Sequence, residues 1–275
     1  MSSMGSRTGR RSQRAWMASS VRHDFTLSEI VPTQSTITRG LRLRRKSFTS
    51  SQTHYLSDLP HQTLPRIDSL GSRLFLLHLF PELSTVPSAL RPLTPPLPAR
   101  TRALDVGAGI GRVTADVLLH LVSDVVLLEP VDSFVQEALA RGQASATLTV
   151  PKRGQHPWKG IADQTKGVTI LQGTLQDFDP LTPHRAKFLG RVGYQPKRPI
   201  DDIGLGFDVI WCQWCLGHLS DSDLVAFLRR SHAALRDKEK GKSLIVVKEN
   251  ICQDSDDGLP CAVFDEEDSS LTRSV

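Results

Sequence analysis

The stretch ALDVGAGIGRVT, Ala103 to Thr114, sets glycines at 107, 109 and 111, every second position, between an apolar run and a segment of helical period. Glycine reaches left-handed backbone that other residues avoid and carries no Cβ. The spacing therefore predicts a sharp bend from a strand into a helix, open enough for a ligand to approach the main chain. The bend begins an alternating series. DVVLLEP (124–130) reads as a strand apolar on both faces that ends on Glu129, and VDSFVQEALARG (131–142) has helical period and stops at Gly142. GVTILQG (167–173), FDVIWCQW (207–214) and SLIVVKEN (243–250) are further strands, with a helix over 221–235. Strand, helix, strand in that order gives parallel strands joined by right-handed crossovers. The expected fold class is α/β, a doubly wound, mostly parallel sheet built on five strands.

The periphery is read differently. RLFLLHLF (73–80) has apolar residues on nearly every side and predicts a buried helix, followed by the proline-rich connector PSALRPLTPPLPAR. Residues 143–166 and 179–205 are polar, basic and broken by Gly and Pro, and are expected to be surface insertions. Residues 1–54 are rich in Ser, Thr and Arg without a sustained apolar period and are expected to be a disordered basic tail ahead of a domain over 55–275.

Composition narrows the setting. Residues 1–47 carry ten Lys or Arg against Asp24 and Glu29, so the excess positive charge of the chain, +5, lies in the tail and the rest is net negative. No apolar run is long enough to span a bilayer, and no membrane partner is expected. RLRRK lacks interleaved aromatic residues, which speaks against nucleic acid. The tail leaves a cytoplasmic, nuclear or mitochondrial address open. Four cysteines are too few for a secreted disulfide scaffold, and Cys212 and Cys215 lack the second close pair of a structural zinc site, so no metal is expected.

The bend departs from the dinucleotide fingerprint G-x-G-x-x-G, because the third glycine comes one position early and Arg112 follows it. Asp105 before the bend and Glu129, 18 residues after Gly111, suit a ligand with a cationic amino group and a ribose diol, and Arg112 suits a carboxylate. S-adenosylmethionine carries all three groups.

FDVIWCQWCLGHLSDSDLVAFLRRSHAALR resembles the alpha-N-terminal protein methyltransferases, class I Rossmann-like enzymes, through Trp211, Gln213, Trp214, Gly217 and His218. LQGTLQDF, LIVVKENICQ and DEEDSS extend the likeness, which runs from about Tyr55 to the end of the chain. The resemblance implies that S-adenosyl-L-methionine is held by Gly107, Gly109 and Arg112, with Glu129 on its ribose, Leu175 and Gln176 near the adenine and Gln213 beside the methionyl end. It implies that His218, Asn250 and Asp268 act on an incoming amine, and that Tyr55, Trp214 and Asp265 bind the acceptor. It further implies methylation of the α-amine of proteins beginning Xaa-Pro-Lys or Xaa-Pro-Arg. Set against the family pattern, the glycine-bearing loop before RIDSLGSRLF is expected to be shortened, Leu56 stands where a tryptophan is usual, and the closing strands that follow the acidic motif are expected to be missing. That leaves open a donor-binding pseudoenzyme or a methyltransferase for another amine. It also predicts an unpaired apolar edge at SLIVV.

Overall fold

The computed structural model describes residues 14–19, 63–84, 86, 100–148, 156–197, 205–237, 242–255 and 257–274. Among them, strands β2 (Arg102–Val106), β3 (Asp124–Glu129), β4 (Gly167–Gln172), β6 (Val209–Gln213) and β7 (Leu244–Asn250) form a parallel core in the order β7-β6-β2-β3-β4. These are the five strands expected from the apolar runs. Their side chains alternate between two cores: Ala103, Val125, Leu127, Trp211 and Val246 face one layer, and Leu104, Val106, Leu128, Ile210 and Ile245 face the other. Both faces are covered, so the strands read as continuous apolar runs rather than alternating ones. Helices α1 (Thr63–Leu79) and α3 (Asp132–Ala146) bring Leu76, Val135 and Ala138 to the first layer, and α4 (Asp221–Ala233) brings Phe227 to the second. Chain order runs outward from β2 through β3 to β4 on one side and from β6 to β7 on the other. The switch in direction falls between β2 and β6, and open α/β sheets bind ligands in the crevice beyond the carboxyl ends at such a point.

Several peripheral expectations are corrected. Helix α1 begins ten residues earlier than RLFLLHLF and is buried along one side only: Ser72 and Leu76 are enclosed, whereas Leu74 is 68% exposed. The 179–205 stretch holds β5 (Lys187–Gly193), antiparallel to β4 at the sheet edge. Its outer face is open, with Phe188 exposed and Val192 buried, so its sequence carries too little apolar signal to read as a strand. The 143–166 stretch contributes the last turn of α3 and two core residues, Trp158 and Ile161. Within the expected tail, β1 (Arg14–Ser19) pairs antiparallel with β7 from Arg14↔Asn250 to Ser19↔Ile245. The edge predicted to stand unpaired is therefore taken, since the open N–H and C=O groups of an edge strand accept a partner that need not have a pattern of its own. After β7, the acidic motif lies in a hairpin of β8 (Ala262–Asp265) and β9 (Ser270–Arg273).

Candidate functional site

All three glycines of the bend are left-handed, with φ of 60°, 56° and 80°, and each meets different surroundings. A Cβ on Gly107 would lie 2.4 Å from Cys215 Cβ, so this residue lets the bend close against the turn after β6. A Cβ on Gly111 would lie 2.8 Å from the Trp158 ring, so this one seats the start of α2 (Arg112–Asp116) on the core. A Cβ on Gly109 would meet nothing within 4 Å among the described residues. That is the side from which a ligand can reach the backbone.

Glu129, buried at the end of β3, accepts from Gly109 N–H through Oε2 at 2.7 Å and from Val131 N–H through Oε1 at 2.9 Å. A carboxylate offers about four lone-pair sites, so acceptor capacity remains on each oxygen for hydroxyl donors. Asp105 lies in β2 just before the bend. It is buried beneath α2, accepts from Thr114 Oγ1 at 2.6 Å, and burial pushes its carboxyl up to about 7.

Arg112 and Gln213 meet in a polar cluster that sequence reasoning missed. Its centre is Asp68 of α1, whose Oδ2 accepts from Arg112 Nη1 at 3.0 Å and from Gln213 Nε2 at 3.1 Å. Its Oδ1 accepts from Lys248 Nζ, which also donates to Ser72 Oγ at 3.3 Å. Burial raises the Asp68 carboxyl, but the bonds from Lys248, Gln213 and Arg112 outweigh that and hold it below the usual range. Two signals could have found the cluster. Asp68, Ser72 and Leu76 fall at four-residue spacing on the buried side of α1, and Lys248 interrupts an apolar strand. Each is a polar residue where only a partner makes burial tolerable.

Beyond β6, Trp214 has φ of +57°, a strained conformation for a bulky residue, and the residue is 38% exposed, with the charged groups of Arg112 and Lys248 5.4 and 5.8 Å from its ring centroid. Glu249 Oε1 accepts from Cys215 N–H and Leu216 N–H, both at 2.9 Å, and so ties β7 to the turn Leu216–His218. Burial raises the Glu249 carboxyl. His218 is exposed on that turn, and Asn250 is exposed at the end of β7. The hairpin packs directly here: a Cβ on Gly217 would lie 3.0 Å from Leu271 O of β9. Arg273 fixes it by donating to Leu219 O at 2.7 Å and to Asp221 Oδ1 at 2.9 Å, and Ile251 bridges to Arg273. Asp265 and Asp268 cap the hairpin turn, accepting from Glu267 N–H and Ser270 N–H.

The structure thus brings Gly107, Gly109, Arg112, Glu129 and Gln213 together at the switch point. It packs the hairpin bearing Asp265 and Asp268 onto the His218 turn and bridges it to the end of β7, where Asn250 lies. Leu175 is buried and Gln176 exposed in the turn after β4, where Arg230 holds their carbonyls at 2.9 and 3.0 Å. Tyr55 lies outside the described residues.

A family model described as AdoMet dependent proline di-methyltransferase matches residues 60–275. Alpha N-terminal protein methyltransferase 1 of Schizosaccharomyces pombe is 31% identical over 210 residues, covering 76% of this chain and 66% of that protein. The Arabidopsis thaliana protein of the same name is 34% identical over 172 residues, 62% of this chain and 45% of its own length. N-terminal Xaa-Pro-Lys N-methyltransferase 1 of Danio rerio is 29% identical over 239 residues, 83% of this chain and 79% of its own. A solved SAM-dependent methyltransferase of Leishmania major is 25% identical with a TM-score of 0.47, covering 81% of this chain and 61% of that one. The chain spans less than two thirds of the length of the yeast and plant relatives. Because the family model runs from α1 through the glycine bend to the closing hairpin, the chain belongs to the AdoMet-dependent proline di-methyltransferase family.

Proposed function

We propose that this chain transfers methyl groups from S-adenosylmethionine to the α-amine of proteins whose processed N-terminus reads Xaa-Pro-Lys or Xaa-Pro-Arg. The observation that carries the reading is that one family match embraces both the glycine bend and the hairpin packed on Gly217.

The residues at the switch point fit the donor. Gly109 leaves open space, Glu129 keeps acceptor capacity for a ribose diol, and Arg112 keeps guanidinium donors beyond the one given to Asp68. Leu175 offers an apolar wall to the adenine, Gln176 a polar group beside it, and Gln213 an amide to the methionyl end. When bound, the donor supplies a methyl group on a sulfonium, open to in-line displacement.

On the acceptor side the chemistry demands a neutral amine held in line. A free α-amine has a pKa of about 7.7–8.0, so it arrives largely protonated at neutral pH. His218 and Asp268 accept that proton, and the Asn250 side-chain oxygen accepts a bond from a remaining N–H, directing the lone pair. Trp214 gives a flat wall with cation–π attraction for the ammonium, Asp265 attracts the Lys or Arg at the third position, and Tyr55 closes over the chain.

The test is incubation of the chain with donor and an Ala-Pro-Lys peptide beside its N-acetyl form. Each transfer adds the mass of one CH2 to the free peptide and none to the blocked one. Binding of S-adenosylhomocysteine with no peptide product, or methylation of the blocked peptide, would reject the acceptor assignment.

A further inference from the structure

Arg112, Gln213 and Lys248 belong to three separate elements: the start of α2, the end of β6 and the middle of β7. One carboxylate joins them. Asp68 gives Oδ2 to Arg112 and Gln213 together and Oδ1 to Lys248, and the second end of the Gln213 amide is fixed by Trp211 Nε1–H at 3.1 Å. If Asp68 served only to neutralise the buried Lys248, one oxygen would suffice. Its other oxygen is given instead to the two side chains that border the crevice. Lys248 and Asp68 side chains are 2% and 5% exposed, whereas that of Arg112 is 31% exposed, so of the two cations bonded to Asp68 it is Arg112 that reaches out of the buried cluster. Among the described residues the one hydrogen bond of its guanidinium is Nη1–H to Asp68, and the remaining N–H groups are left for a second acid.

We propose that Asp68 is a positioning residue of the donor pocket: without touching the donor, it fixes Arg112 and Gln213 so that the cluster receives the carboxylate of the donor's amino-acid end. This rests on the donor reading above. Asp68 therefore governs discrimination between nucleosides with and without that carboxylate, a property that general stabilisation of the fold would not produce.

The experiment compares S-adenosylhomocysteine with 5′-methylthioadenosine, the same nucleoside thioether without an amino-acid end, by calorimetric titration of the whole chain. In Asp68→Asn the homocysteine compound should lose about tenfold in affinity, about 1.4 kcal/mol, while methylthioadenosine stays within about twofold. The substitution leaves Lys248 buried without its acid. D68N/K248M, which removes both charges, therefore decides the matter if the single variant does not melt cooperatively, and the same fall in the ratio is expected of it. An unchanged ratio, or tighter binding of the homocysteine compound once Asp68 is gone, overturns the proposal. Failure of the unsubstituted chain to bind either nucleoside would instead strike at the donor reading itself.

Discussion

Substituting Gly107 and Gly109 separately should give opposite orders of damage. Alanine at either position pays for left-handed backbone, about 1–2 kcal/mol. At Gly107 the new Cβ also meets Cys215 Cβ at 2.4 Å, whereas carbon atoms in contact sit about 3.5–4.0 Å apart, so the bend and the turn after β6 must separate by about 1 Å. Overpacking of that kind costs about 1–3 kcal/mol. Gly107→Ala is therefore destabilised by about 2–5 kcal/mol, against about 1–2 kcal/mol for Gly109→Ala, whose Cβ meets no described atom within 4 Å. At about 2–4 °C per kcal/mol for a domain of this size, the overpacking cost of about 1–3 kcal/mol should set the melting temperatures of the two variants about 2–12 °C apart. In affinity for S-adenosylhomocysteine the order should reverse, because the Gly109 methyl fills the open side of the bend. The contact at Gly107 is with Cβ, so Cys215→Ala should bring no relief in that background while Cys215→Gly should. Equal melting of the two glycine variants, or rescue by Cys215→Ala, would refute this account of the bend.

Arg273→Ala removes the donors that hold β9 to the Leu216–Leu219 carbonyls, at least about 1 kcal/mol of docking, since the Asp221 partner is exposed and adds little. The KM for an Ala-Pro-Lys peptide should rise while S-adenosylhomocysteine affinity holds, and a parallel loss of both would contradict the division into donor and acceptor sides. Asp105 ionises near 3.8 in the unfolded chain and near 7 in the fold, so the native state keeps a proton that the unfolded state has released between those values. Its contribution is therefore full below about pH 4 and lost as pH rises through about 7. Urea titrations from pH 4 to 8 should show a shallower decline in Asp105→Asn, and coincident slopes would discard the burial argument. Ser220 caps α4 by accepting from Asp223 N–H at 3.2 Å, so Ser220→Ala should lower stability by about 1 kcal/mol in chemical denaturation without altering nucleoside binding.

What the sequence made legible follows from where each element lies. The five parallel strands are enclosed on both faces, so every position had to be apolar and the runs stood out. The edge strands β1 and β5 are held by backbone pairing to a single neighbour, which asks little of their side chains, and both were hidden in polar stretches. Trp158 was hidden for a related reason: a single large residue in a polar segment carries no period, yet it fills the gap left by the missing side chains of Gly111 and Gly142. The glycines and Glu129 could be read because a residue at the end of an apolar strand in this topology lies at the crevice, whereas Gln213 was reached only through the family resemblance.

Asp68 and Lys248 obey the opposite rule. Neither stands at a strand end, and 180 residues separate them, so no local pattern links the acid on α1 to the cation in β7. Each alone reads as a misplaced charge, and the sense of each lies in the other. The acid reaches Arg112 and Gln213 through α1, which delivers a carboxylate into the space between α2, β6 and β7. Helix α1, which precedes the parallel strands in sequence, therefore borders the crevice, and under the donor reading burial of an ion pair, costly for stability alone, is the means of fixing two side chains before a ligand arrives.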